Sequence, residues 1–444
     1  MTLLVRAGLL VTGNGEEIEN GWLLARDGVI EQVGSGPAPD ADEVVDEPNC
    51  VAMPGLVNAH DHMYQWATRA YVPDGTLFEW LQALYPVWAQ IDADIVRVAA
   101  RAAMARLLLS GCTLSTDHHY VFPPGRPGIF EALVETAREM GLRFHPCRGS
   151  MSLGRSKGGL PPDGVVEEHD EILAHTEAVA SHYHDAAPGS MCRVVVAPCS
   201  PFSVTPALME ESAELARRLG LRLHTHLAET LDEELFCIEK FGRRPLEHMD
   251  DLGWTGGDVW YAHGIHFNDA EVDRVAESGS GVAHCPSSNM RLGAGMCRVA
   301  DLVRAGAHVS LGVDGAASNE DSNLAFEVHQ ALLLARARET SPQALDARGA
   351  WRLATQGGAQ CLGRDDCGTL EAGKCADIAC FRIDDLAHAG SADAVAALAL
   401  APPGRAQAVI VDGRVVVREG SLLSADEETI ARELAATSAR LRGA

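Results

Sequence analysis

Between residues 52 and 314 the chain repeats one pattern. Short apolar runs are separated by longer segments whose apolar residues recur every three to four positions. The runs read VAMPGLVNAHDH, CTLSTDHHY, LRFHPCRGS, CRVVVAPCSP, LRLHTHLAE, VWYAHGIH, SGVAHCPSSN and HVSLGVDGAASN. Short apolar runs closed by turn residues predict buried strands, and DIVRVAARAAMARLLLSG and ALMEESAELARRLG between them predict helices. Eight strands with helix-sized intervals make an α/β fold, a closed parallel (β/α)8 TIM-like barrel. The rival, an open doubly wound sheet, favours a glycine-rich phosphate loop after its first strand. NAHDHMYQ is no such loop.

The two ends read differently. LLVRAGLLVT and GWLLARDGVIEQVG predict strands near the start, and CADIACFRI and AQAVIVDGRVVVREG near the end, with a hairpin signal at Asp412-Gly413. They predict a small composite β-sandwich domain from residues 1–55 and 364–444, flanking a barrel over 56–363. The last stretch, ADEETIARELAATSARLRGA, has helical spacing and is expected to pack outside. Two long segments, 63–90 and 151–166, follow the first and third barrel strands. Long loops on the active face serve as lids or pocket walls.

Composition narrows the partners. The 444 residues carry a formal net charge of −26. That argues against a nucleic-acid polymer or an anionic membrane, which call for Lys/Arg patches, and leaves a small neutral or cationic molecule. The 12 cysteines are scattered without a C-x-x-C pair, as in a reduced, cytoplasmic protein. The apolar start is broken by Arg6 and reads as a strand rather than a signal peptide. No run approaches the roughly 18 apolar residues of a membrane span.

Most of the eight runs end in a histidine or a carboxylate, where a barrel places its chemistry. His60 and His62 are two apart, so on a strand both imidazoles face one way. His226 and Asp314 close later strands. Each has an ordinary explanation alone: a hydrogen-bonded core histidine, or a turn aspartate before Gly315. Together they form a candidate site for one divalent metal ion, Zn2+ first, with Fe2+ or Mn2+ as alternatives. Glu229, three past His226, can reach a water there without being a ligand. His263 is either a fifth ligand or a hydrogen-bond donor to that water; the second role is preferred. Two-metal barrels often use a lysine at the end of the fourth strand. Here that place reads Ala197-Pro198-Cys199-Ser200, so one metal is expected.

PGLVNAHDH, HTHLAE, the YAH around His263 and LGVDGAASN resemble the amidohydrolase superfamily over nearly the whole chain. SGCTLSTDHHY, RFHPCRGSMSLGRSKGGLPPD, VVVAPCSPFSV and VAHCPSSNMRL look like its aminohydrolases acting on nitrogen heterocycles. The resemblance implies a metal-dependent hydrolytic deaminase, with 8-oxoguanine, giving uric acid and ammonia, as the leading substrate. Guanine, isocytosine, a pterin and a chloro- or amino-triazine are the alternatives. A non-catalytic scaffold is the remote one, since such a chain should have lost ligands or Glu229. In the implied reaction Asp314 ligates and takes a proton from the attacking water, Glu229 protonates the ring nitrogen, and His263 hydrogen-bonds the attacking oxygen. Gln65 pairs with the edge of the base. Arg148 holds a ring oxygen or else bridges to a neighbouring loop. His118 rather than His119 points inward. Trp88 or another aromatic of its loop stacks on the base, and His284 and Asn289 support the site from behind. Cys147, Cys199 and Cys285 read as buried free thiols. The resemblance also implies a homo-oligomer.

Overall fold

The computed structural model describes residues 1–443. All eight runs become strands: Leu56–Asn58, Cys112–His119, Arg143–Ser150, Val195–Pro198, Arg222–Leu227, Val259–His263, Gly281–His284 and His308–Leu311. Each pairs in parallel with the next, and the eighth returns to the first where Leu311 meets Asn58. Small side chains dominate the interior: Ala59, Ala197, Ala283 and Cys147 surround the fully buried Trp260. The Trp260 indole donates to the carbonyl of Ala59 at 3.0 Å, so its polar atom is satisfied inside the barrel.

The helices start and stop where the sequence signals it. Asp92, Thr205 and Asn268 accept the N–H of Ile95, Leu208 and Glu271 at helix starts. Gly220 and Gly279 close two helices in the left-handed conformation.

Both chain ends contribute to one separate, nine-stranded mixed sheet. Glu43–Pro54 is its pivot: it runs parallel to Thr2–Val11 on one side and antiparallel to Ile378–Arg382 on the other, then leads through Gly55 into the barrel. The sheet curls around its own core of Leu3, Val5, Leu23, Val45, Ile378 and Ile410. The edge strand Val29–Ser35 also touches the segment before Ile378–Arg382, where the Ile30 N–H donates to the carbonyl of Lys374 at 2.9 Å. The hairpin at Asp412-Gly413 forms with both residues at positive φ, 52° and 70°. The final helix, Glu427–Arg442, lies outside, beside Ala93–Leu109. Among the described residues, no helix is long and apolar enough to cross a membrane.

Candidate metal centre and active-site cleft

The C-terminal ends of the barrel strands bring His60, His62, His226, Glu229, His263 and Asp314 to one mouth, and all six are buried. Asn58 fastens the closing seam, since its side-chain oxygen accepts the Val313 N–H at 2.9 Å. The Asp314 N–H donates to the carbonyl of His60 at 3.0 Å. Ligand types more than 250 residues apart in sequence therefore sit on adjacent, hydrogen-bonded backbone.

Hydrogen bonds fix the tautomers of the three imidazoles. The His62 Nδ1–H donates to the carbonyl of His118 and the His226 Nδ1–H to that of Cys199, both at 2.6 Å. His224 Nδ1–H donates to the carbonyl of Trp260 at 2.9 Å, which leaves His224 Nε2 as the acceptor for His60 Nδ1–H at 2.8 Å. Each ring thus turns a bare Nε2 lone pair inward. The Nε2 of His60 has no partner. Those of His62 and His226 face each other at 3.0 Å, and Asp314 Oδ1 lies 3.4 Å from His62 Nε2 and 3.6 Å from His60 Nε2. Burial holds all three imidazoles below their usual range, so protonation does not relieve the opposed lone pairs. A cation does. Ligands about 2.0–2.1 Å from a tetrahedral zinc stand about 3.3–3.4 Å from one another, which these separations approach. The outward N–H of each ring is held by a carbonyl or by His224, as metal-ligating histidines require.

The reactive groups sit beside these donors. Burial pushes the Glu229 carboxyl up to about 7, against the pull of His263. His263 Nε2 lies 3.7 Å from Glu229 and 3.9 Å from Asp314, and its Nδ1–H donates to Asn289 Oδ1 at 2.9 Å. Burial pulls the His263 imidazolium down, but Glu229, Asp314 and Asn289 outweigh it and leave its pKa raised. Ala228, His263 and Asp314 all have left-handed backbone, at φ 53°, 74° and 61°. Such strain in non-glycine residues costs of order 1–3 kcal/mol each and gathers at functional sites.

About 390 Å³ of space between atoms, part of it solvent, lies in the cleft above the donors. Gln65 lines it, as do Leu77, Trp80 and Tyr85 from the helix Leu77–Trp88. The long segment after the first strand is therefore a wall, and an α-helical one. The segment 151–166 does not line the cleft; Leu160 N–H donates to the carbonyl of Phe202, which does.

Several expected substrate contacts lie elsewhere. Trp88 is one turn beyond Tyr85 on the same helix face, so it buttresses the wall: its indole donates to Thr68 at 3.1 Å behind Trp80 and Tyr85. Arg148 follows Cys147, which faces the barrel interior, so the two-residue period turns it outward. There it grips Glu167 at 2.6 Å, meets His175 at 2.8 Å and covers Phe122. This is the loop bridge, not a contact to a ring oxygen. His118 does point inward, but it lies beneath the donors rather than in the cleft, its Nε2–H on the carbonyl of Ala197 at 2.7 Å and its ring stacked on His226. Its Nδ1 has no partner, and it groups with His60 and His226 as a further donor. Asn289 takes the supporting place expected of it, whereas His284 makes no side-chain hydrogen bond among the described residues.

The sequence reading passed over His224, Ser288 and Glu233. His224 was legible: H-T-H repeats the same-face spacing of His60 and His62. Ser288 donates to Asp314 Oδ2 at 2.6 Å, and no spacing signals it. Away from the barrel mouth, a separate grouping of Asp366, Cys367 and Cys375 lies beside the terminal sheet. Arg364 already clamps Asp366 there at 2.7 and 2.9 Å.

The model of the Amidohydrolase family matches residues 51–416. The chain belongs to the amidohydrolase family. It is a metal-dependent deaminase acting on C–N bonds, with a buried, histidine-rich metal site. It is 45% identical to the 8-oxoguanine deaminase of Pseudomonas aeruginosa, over 98% of each chain. It is 37% identical to the hydroxydechloroatrazine ethylaminohydrolase of a Pseudomonas species, covering 95% of this chain and 92% of that one. The crystal structure of the atrazine chlorohydrolase from Arthrobacter aurescens TC1, complexed with zinc, superposes with a TM-score of 0.95 at 32% identity, over 98% of this chain and 100% of that one.

Proposed function

We propose that this amidohydrolase holds one zinc ion on His60, His62, His226 and Asp314 and hydrolyses the exocyclic amine of 8-oxoguanine, giving uric acid and ammonia. The observation that carries the metal assignment is a buried site in which the bare Nε2 atoms of His62 and His226 oppose each other at 3.0 Å and those of His62 and His60 lie 3.4 and 3.6 Å from the Asp314 carboxylate. The 45% identity to an 8-oxoguanine deaminase supports the substrate.

When bound, the ion supplies a Lewis acid that brings the pKa of water to about 7. The chain's own residues do the rest. Asp314 takes the proton of the attacking water, its Oδ2 steadied by Ser288. His263 directs a hydrogen bond at the attacking oxygen from a ring that Asn289 orients. Glu229 hands a proton to the ring nitrogen beside the carbon under attack, so negative charge does not accumulate on the base. Its raised pKa suits a group that both accepts and releases a proton near neutrality. Asp314 passes its proton to the amine, which leaves as ammonia while the remaining proton of the attacking water returns to Glu229.

Gln65 holds the edge of the base. Its Oε1 is buried without a partner, leaving an acceptor free for a ring N–H. Gly315 makes room for this amide, because a Cβ there would lie 2.0 Å from Gln65 Oε1. Gly315→Ala is expected to swing the amide aside and raise KM roughly threefold to tenfold, the worth of one such hydrogen bond, with kcat within about twofold. Steady-state kinetics check this.

The experiment on function is an ammonia-release screen of zinc-loaded protein over purines, pyrimidines, pterins and triazines. The highest kcat/KM is expected on 8-oxoguanine. No release from 8-oxoguanine alongside turnover of another heterocycle would overturn the substrate assignment and leave the metal assignment standing.

A further inference from the structure

The turn after the fifth barrel strand holds a second carboxylate that the reaction does not use. Glu233 is fully buried. Its two oxygens accept the backbone N–H of Ala228 at 2.8 Å and of Glu229 at 2.9 Å. An ordinary capping box uses the third residue of a helix to hold the N–H of the cap. Here the cap is Thr230, and Glu233 reaches past it to the two residues before. The peptide joining Ala228 to Glu229 is therefore held at both ends. Glu233 takes its N–H, and its carbonyl accepts the N–H of Ile265 at 2.9 Å and of His266 at 3.0 Å. Those residues follow His263 on the next strand. One peptide thus links the turn that aims Glu229 to the turn that aims His263. Ala228 adopts φ 53° in it, a left-handed conformation that its Cβ disfavours.

We propose that Glu233 is a positioning residue that holds the Ala228–Glu229 peptide and so sets Glu229 and His263 at their mutual distance. The assignment rests on the reading of Glu229 as the proton donor. The second carboxylate oxygen is the decisive part: a glutamine there has one acceptor for two N–H groups and presents an N–H₂ to the other.

The test uses the zinc-loaded enzyme. Glu233→Gln is expected to lower kcat about tenfold to hundredfold, the scale of a misplaced catalytic group, with KM within about threefold and metal content unchanged. Thr230→Val removes the hydroxyl that accepts the Glu233 N–H at 3.3 Å and weakens the start of the same helix. It should lower the melting temperature while keeping kcat within about twofold. Ala228→Gly added to Glu233→Gln should restore part of the lost kcat, because glycine takes the left-handed turn freely. A Glu233→Gln enzyme with wild-type kcat overturns the proposal. So does an equal loss of kcat in Thr230→Val, or a double variant with no recovery of kcat. If Glu229→Gln also turns over normally, the reading of Glu229 falls and the clamp falls with it. If only Glu229→Gln is inert, the clamp alone is wrong.

Discussion

Glu229→Gln is expected to lower kcat by about 10²–10⁴-fold, the range that a positioned proton donor contributes, while metal content stays at the wild-type level. The side chain is buried at the mouth of the barrel, 3.7 Å from His263. None of the bare Nε2 atoms of His60, His62 and His226 is hydrogen-bonded to it. Glutamine keeps its shape and removes its proton. The ring nitrogen of the base then stays unprotonated as the carbon beside it becomes tetrahedral, and charge accumulates on the ring. Stopped-flow or steady-state turnover with metal analysis on the same samples checks the result. A variant with full turnover would remove Glu229 from the mechanism.

His226→Ala is expected to abolish turnover for a different reason. Its Nε2 stands 3.0 Å from that of His62, and its Nδ1–H is held by the carbonyl of Cys199. Removing the ring leaves a three-donor site with a hole. Loss of an outer partner such as His224, which only orients His60, is expected to weaken metal affinity about 10–100-fold. Loss of a ligand itself should exceed that. Competition with a zinc-sensitive dye would rank the two: wild type tightest, His224→Ala intermediate, His226→Ala weakest. Equal affinities across the three would contradict the tautomer argument on which the donor set stands.

Much of this was legible in the chain. Short apolar runs closed by turn residues placed all eight barrel strands, and the alternation of an extended chain put His60 and His62 on one face. The ligand types stood out because a barrel interior otherwise takes apolar residues, as Val57, Leu114, Val195 and Ala283 show. What was not legible depends on distances between elements. Arg148 sits at a strand end like the ligands, and only its neighbours Glu167 and Phe122 show that it faces away. Trp88 shares a helix face with Tyr85, and one helical turn of axial rise separates wall from buttress. Glu233 reads as an ordinary first-turn glutamate until the left-handed turn at Ala228 brings two N–H groups to it. The pairing that joins the two chain ends into one sheet is likewise long-range, with Ile378–Arg382 against Glu43–Pro54.

The most direct measurement is an anomalous-difference map from crystals of the zinc-loaded protein, recorded on both sides of the zinc absorption edge. One strong peak per chain is expected, within about 2.0–2.2 Å of the Nε2 atoms of His60, His62 and His226 and of a carboxylate oxygen of Asp314. A peak at Asp366, Cys367 and Cys375 instead, or none at the barrel mouth, would contradict the account.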